Sequence, residues 1–166
     1  MTDSHIFFWN GWPSNWYPAK FKVIRDAKEI EFQNSEQYFM YMKAVYFEDF
    51  DTASEIVKKG GDPKEAKRLG RLVKNFDSAK WDNIKESVMF DANLLKYMRN
   101  RKLYKKLTDR SLDGKHFVEG SPYDKVWGIG VHYMDASDDE STWSGKNLLG
   151  KTLDTLRDYL IERYEN

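Results

Sequence analysis

There is no cysteine among the 166 residues. Disulfides, thiolate zinc sites and thiol nucleophiles are thereby excluded, which leaves any covalent chemistry to hydroxyls, amines or carboxylates. Long apolar runs are also missing, and none approaches the length of a membrane span. No basic-then-apolar leader follows Met1, because Thr2, Asp3, Ser4 and His5 are polar and Phe7 to Trp9 is too short for a signal core. A cytoplasmic protein without a membrane partner is therefore expected. There is no excess of either charge, with 27 Lys and Arg against 27 Asp and Glu. That balance argues against a protein whose affinity rests on blanket phosphate neutralisation. Several motifs are absent too. Ser121 lies in no G-x-S-x-G elbow, no G-x-x-x-x-G-K-[ST] loop occurs, and Gly128-Ile129-Gly130 is too little for a dinucleotide-binding turn. His5, His116 and His132 lack ligand spacing, so neither a metal site nor a cofactor is expected.

What is present fits a globular chain: 40% hydrophobic and 33% charged residues, with a mean hydropathy of −0.78. At this length an autonomous core is feasible, and residues 1–166 are expected to form a single domain. The charge is unevenly distributed, since residues 58–106 hold 15 Lys and Arg against 6 Asp and Glu. A basic middle of this kind either coats solvated helix faces or faces phosphate.

Phe21 to Ile24 and Glu29 to Phe32 read as a β-hairpin around Arg25-Asp26-Ala27-Lys28. Asn34 and Gln37 resemble a capping box opening a helix in which Tyr38, Met42, Val45 and Tyr46 recur at helical spacing. A short helix from Asp51 to Val57 ends at Gly60-Gly61, and Asp62-Pro63-Lys64-Glu65 starts the next. Asp77 can cap a longer helix with a Trp81, Ile84, Val88, Ala92, Leu95 stripe, and another spans Lys102 to Thr108. His116 to Glu119 and Val126 to Val131 read as strands, Asp135 to Ser144 as a mobile acidic loop, and Leu149 to Tyr164 as an amphipathic helix. The pattern is α+β, mainly helical with a small β-sheet, and it lacks the βαβα alternation of a Rossmann sheet.

Three places have the makings of chemistry. Glu36 lies in the first turn of a helix, where free N–H groups and the dipole favour a carboxylate, and Lys43 lies two turns, roughly 10 Å, further along one apolar face. Glu36 as a helix-end group and Lys43 as a snorkelling lysine is the alternative. Around Asp124, the run from Val118 to Gly130 combines a proline, glycines and Tyr123 and Trp127 in a shaped loop suited to a planar ligand; Asp124 as a turn-capping residue is the alternative. Trp143-Ser144-Gly145-Lys146-Asn147-Leu148-Leu149-Gly150 leads a glycine-containing loop into a helix start. That start can hold an anion on its amides or be capped by Ser144 or Asn147.

Taken in order, Phe7-Phe8, Pro13-Ser14-Asn15-Trp16-Tyr17-Pro18, Ser35-Glu36-Gln37-Tyr38, Lys43-Ala44, Lys67-Arg68-Leu69-Gly70-Arg71, Phe76-Asp77 with Trp81-Asp82, Ser121-Pro122-Tyr123-Asp124 with Trp127-Gly128, and Trp143 to Gly150 resemble the NADAR (YbiA-like) family of N-glycosidases. Trp16 stands where the family commonly has phenylalanine and Gly120 where it usually has alanine, and Asn10-Gly11-Trp12 is an unusual approach to Pro13-Ser14; these departures bear on substrate preference. The resemblance implies a YbiA-like fold and hydrolysis of a ribose–base bond. The substrate it implies is ADP-ribosylated guanine in nucleic acid or a phosphoribosylamino-pyrimidine intermediate of riboflavin synthesis. It implies catalytic roles for Glu36, Asp124, Trp81 and Lys43, and substrate contacts from Asn15, Trp127, Arg71, Trp143, Gly145 and Asn147. A non-catalytic ADP-ribose or nucleotide reader would use the same aromatics and Arg71 without needing Glu36. A purely structural interaction module is a third reading.

Overall fold

The computed structural model describes residues 1–166. The chain divides into two compact units, a continuous one over Asn15–Arg101 and a split one built from Met1–Ser14 and Lys102–Asn166.

The continuous unit begins with the hairpin. Strand β2 (Phe21–Arg25) pairs antiparallel with β3 (Lys28–Phe32), with Phe21 opposite Phe32 and Arg25 opposite Lys28. Asp26 and Ala27 close it with φ of 50° and 61°, the paired left-handed conformation whose twist matches the strands. Phe21 and Phe32 turn inward onto Tyr38, with ring centroids 5.7 and 5.1 Å away. Helix α1 (Ser35–Tyr46) carries that tyrosine. The Asn34 side chain accepts from the Gln37 amide at 2.9 Å, while the Gln37 side chain accepts from the Gln33 amide and donates to the Ile56 carbonyl. The capping signal thus also ties α1 to α2 (Phe50–Lys59).

Helix α3 (Pro63–Gly70) starts as expected at Asp62-Pro63, and α4 (Ser78–Met98) is capped by Asp77. The buried face of α4 differs from the expected stripe. It runs through Trp81, Met89, Ala92, Asn93, Lys96 and Tyr97, while Ile84, Val88 and Leu95 are only half-buried. Apolar periodicity missed this rotation because two of the buried residues are polar.

In the split unit, β1 (His5–Phe8) pairs in parallel with β4 (His116–Glu119), His5 opposite His116. Parallel pairing brings together two histidines that the sequence leaves far apart, their ring centroids 6.1 Å from each other. Helix α5 (Arg101–Leu107) buries Leu103 and Leu107. Helix α6 (Leu148–Leu160) turns Leu149, Leu153, Leu156 and Leu160 into the core with Phe117, Val118 and Ile129.

Two expectations fail here. Val126 to Val131 is no strand: its carbonyls accept instead from the segment leading into α6, at Gly145→Ile129, Asn147→Gly128, Leu148→Val126 and Leu149→Trp127. Asp135 to Ser144 is held rather than open. It contains a helical turn at Glu140–Thr142 capped by Asp139, and the Trp143 indole donates to the Ser137 carbonyl at 3.0 Å. Asp138 accepts from the Thr2 hydroxyl at 2.8 Å and faces His5 Nδ1 at 3.1 Å.

Candidate active site

The continuous unit gathers five of the expected site residues. Glu36 is buried in the first turn of α1, and its amide donates to the Asn15 carbonyl at 3.2 Å. Asn15 is itself fixed on α4, donating to Met89 Sδ at 3.1 Å and accepting from Asn93 at 3.3 Å. Asn93, a polar residue one turn after Met89 on the buried face of α4, thus holds the Asn15 side chain, and apolar periodicity does not single it out.

Lys43 lies on the same helix, and its ammonium donates to the Gly70 carbonyl at 2.9 Å and sits 4.5 Å from the centre of the Phe76 ring. The end of α3 comes close enough because residue 70 is glycine: a Cβ there would lie 2.2 Å from Met40 Sδ. A cation at this carbonyl end also complements the α3 dipole. Burial, then the Arg71 guanidinium, lowers the Lys43 pKa from its ordinary value, and Glu36 opposes them. Arg71 closes α3 with an exposed side chain. Trp81 is buried at the start of α4, its ring 5.3 Å from Phe39 and 6.3 Å from Phe47. This unit therefore unites a buried acid, a half-buried amine, an exposed guanidinium and an aromatic wall.

The other five residues lie in the split unit, most of them in backbone work. Asp124 Oδ1 accepts from the amides of Val126 at 2.9 Å and Trp127 at 2.8 Å, which makes it a turn former and also fixes the direction of the half-buried Trp127. Trp143 packs edge-on against His5 and Phe7 of β1, at 5.6 and 6.3 Å. Gly145 allows backbone to meet backbone, since a Cβ would lie 2.3 Å from the Gly128 carbonyl oxygen. Asn147 is left-handed at φ 54°, makes no side-chain cap, and clamps β4 instead, accepting from the Glu119 amide at 3.0 Å and donating to the Phe117 carbonyl at 2.9 Å. Neither expectation for the start of α6 holds. The amides of Asn147, Leu148 and Leu149 are engaged by the carbonyls of residues 126–128, and neither Ser144 nor Asn147 caps the helix.

The fold and these residues define a helix-rich α+β protein with an acid, an amine and a guanidinium gathered in one unit. The NADAR domain family matches residues 7–161, a span that runs through both units. The chain is 36% identical over 167 residues to N-glycosidase R617 of Acanthamoeba polyphaga mimivirus, covering 95% of this chain and 96% of that protein. It is 37% identical over 165 residues to Protein irg-1 of Caenorhabditis elegans, covering 92% of this chain and 76% of that one. Among solved structures, the NMR structure of the E. coli protein YbiA is similar with a TM-score of 0.76 at 30% identity, covering 100% of this chain and 90% of that one. The chain belongs to the NADAR family. It is an enzyme, a hydrolase of the N-glycosidase class. No helix is long and apolar enough to cross a membrane.

Proposed function

We propose that this N-glycosidase releases ADP-ribose from guanine in nucleic acid, and that residues 1–166 act as one catalytic domain in the cytoplasm. The observation that supports this reading best is the burial of Glu36 in the same unit as Lys43 and Arg71. Breaking a ribose–nitrogen bond develops positive charge on the sugar, and a fixed carboxylate in a site shielded from water stabilises that charge without reorganising. Glu36 is assigned this part, either facing the cation directly or activating the attacking water. Asp124 is assigned the second acid's part, in proton transfer or water positioning. Lys43 and Arg71 supply positive charge for phosphate or tune Glu36, and Trp81 and Trp127 supply ring faces for the base. Asn15, Trp143, Gly145 and Asn147 hold the substrate-binding segments in shape.

The guanine substrate is preferred over a phosphoribosylamino-pyrimidine because of the basic stretch between residues 58 and 106. The two are separated by offering both, an ADP-ribosylated oligonucleotide and a phosphoribosylamino-pyrimidine, and following release by mass spectrometry. Cleavage of the oligonucleotide alone is expected. Cleavage of the pyrimidine alone would transfer the assignment to the smaller substrate.

A further inference from the structure

Between α3 and α4 the chain exposes apolar side chains that a solvated turn does not need. Leu72 is 57% and Phe76 45% exposed, although the intervening Val73 is buried. The turn is built to stay in place. Asp49, buried at the start of α2, accepts from the Thr52 amide and hydroxyl at 3.1 and 2.6 Å and also from the Lys74 amide at 2.9 Å. Asn75 reverses the chain at φ 62°. The Phe76 ring then rests edge-on against Phe47, 5.3 Å between centroids, with the Lys43 ammonium on it. The same stretch of chain carries three exposed cations, Arg71, Lys74 and Lys80. The acid within the turn, Asp77, accepts from the Lys80 amide as the cap of α4.

A fixed ring in a turn whose exposed charges are mostly cationic matches the repeating chemistry of a single nucleic-acid strand, in which planar bases alternate with phosphates. Because the ring is already held, little ordering remains when a base arrives. An acidic peptide would be drawn by the same cations but has no use for the ring face. We propose that the α3–α4 turn is a docking edge for a nucleic-acid strand, Phe76 stacking on a base beside the modified nucleotide, Leu72 packing against it, and Arg71, Lys74 and Lys80 lying along the phosphates. This extends, and rests on, the reading of ADP-ribosylated guanine in nucleic acid as substrate.

The test uses the full chain and a fluorescently labelled, unmodified single strand of roughly ten nucleotides, a length within the usual site size of such grooves. Anisotropy is followed across a salt series. Wild type binds, and the paired substitution Lys74→Ser and Lys80→Ser flattens the log–log salt slope by about 1.4, or about 0.7 for each phosphate left without its lysine. Phe76→Leu keeps the apolar bulk but not the π-face and weakens binding about five- to tenfold, whereas Phe76→Trp retains it. The paired lysine variant cleaves a small ADP-ribosylated guanosine as wild type does. Failure of wild type to bind the strand overturns the proposal while leaving the glycosidase reading intact. So does equal binding by wild type and Phe76→Leu, or displacement of the strand by a polyglutamate peptide at matched charge. Strand binding without release of ADP-ribose from a modified strand instead sinks the reading of the activity.

Discussion

The two units set their candidate acids in different polar surroundings. In the continuous unit, Asn34, Asp49, Asp62 and Asp77 cap four helices, and Lys43 feels the charges of Arg71 and Glu36. In the split unit, polar side chains are the joints themselves. Asn147 clamps β4, Asp154 accepts from the Phe117 amide at 2.9 Å, and the buried Arg157 donates to the Asp109 carbonyl and the Asp113 carboxylate. An acid in a glycine-flanked loop and an acid on a helix therefore carry different weight: Asp124 has a structural task that accounts for one of its oxygens, while Glu36 is buried beside charge.

That contrast is sharpened most by exchanging each acid for its amide. Glu36→Gln is expected to fold normally and to lose about a hundred- to ten-thousandfold in turnover, as removal of a group acting in acid–base or charge stabilisation does. Asp124→Asn preserves the Oδ1 acceptor for Val126 and Trp127, so thermal unfolding should be unchanged while turnover falls about a hundredfold. Full activity in Glu36→Gln would remove the proposed mechanism; full activity in Asp124→Asn would leave that residue a turn former only.

Next in size is Asn147→Ala. The variant orphans the Glu119 amide and the Phe117 carbonyl and retains the left-handed backbone, so a loss of about 3 kcal/mol is expected in urea unfolding. A loss below about 0.5 kcal/mol would show that the clamp is dispensable.

The continuous unit has its own cost in Lys96, fully buried on α4 with Tyr97 and Tyr17 rings 5.1 and 5.8 Å from its nitrogen. Burial brings its pKa down from 10.5 to about 7. Between those two values the unfolded chain binds a proton that the folded one does not. The Lys96 contribution to stability thus falls by about 1.4 kcal/mol per pH unit as pH drops from about 10 towards about 7, and levels off below it. Lys96→Met should flatten this part of the profile in denaturant titrations; an unchanged slope would assign the pH dependence elsewhere. The smallest change expected is Ala27→Gly, which relieves a left-handed alanine at φ 61° and should add about 1 kcal/mol. A lower melting temperature would contradict it.

How much was legible follows the same division. The hairpin and the starts of α1, α3 and α4 were readable because a cap, a proline or an alternating run lies beside the element that it specifies. Within the split unit, β4 and α6 were readable, but β1 was not, because His5–Phe8 becomes a strand only by pairing with residues more than a hundred positions away. Val126 to Val131 misled for a related reason: its apolar character supports Ile129 in the core, while its carbonyls serve the amides before α6. Glu36 and Lys43 could be placed on one helix face from spacing alone. The Gly70 carbonyl under Lys43, the Asn93 that fixes Asn15, and the second life of Asp49 as an anchor for the α3–α4 turn required coordinates.

The parallel pair of β1 and β4 also sets an order of events during synthesis. When residue 101 has left the ribosome, every element of the continuous unit has its neighbours available, and local contacts of that kind form fast. Strand β1, made first, stays single until β4 follows it out of the tunnel. At a translation rate of about 5–20 residues per second, that leaves an unpaired His-Ile-Phe-Phe edge waiting about 5–20 seconds for its mate.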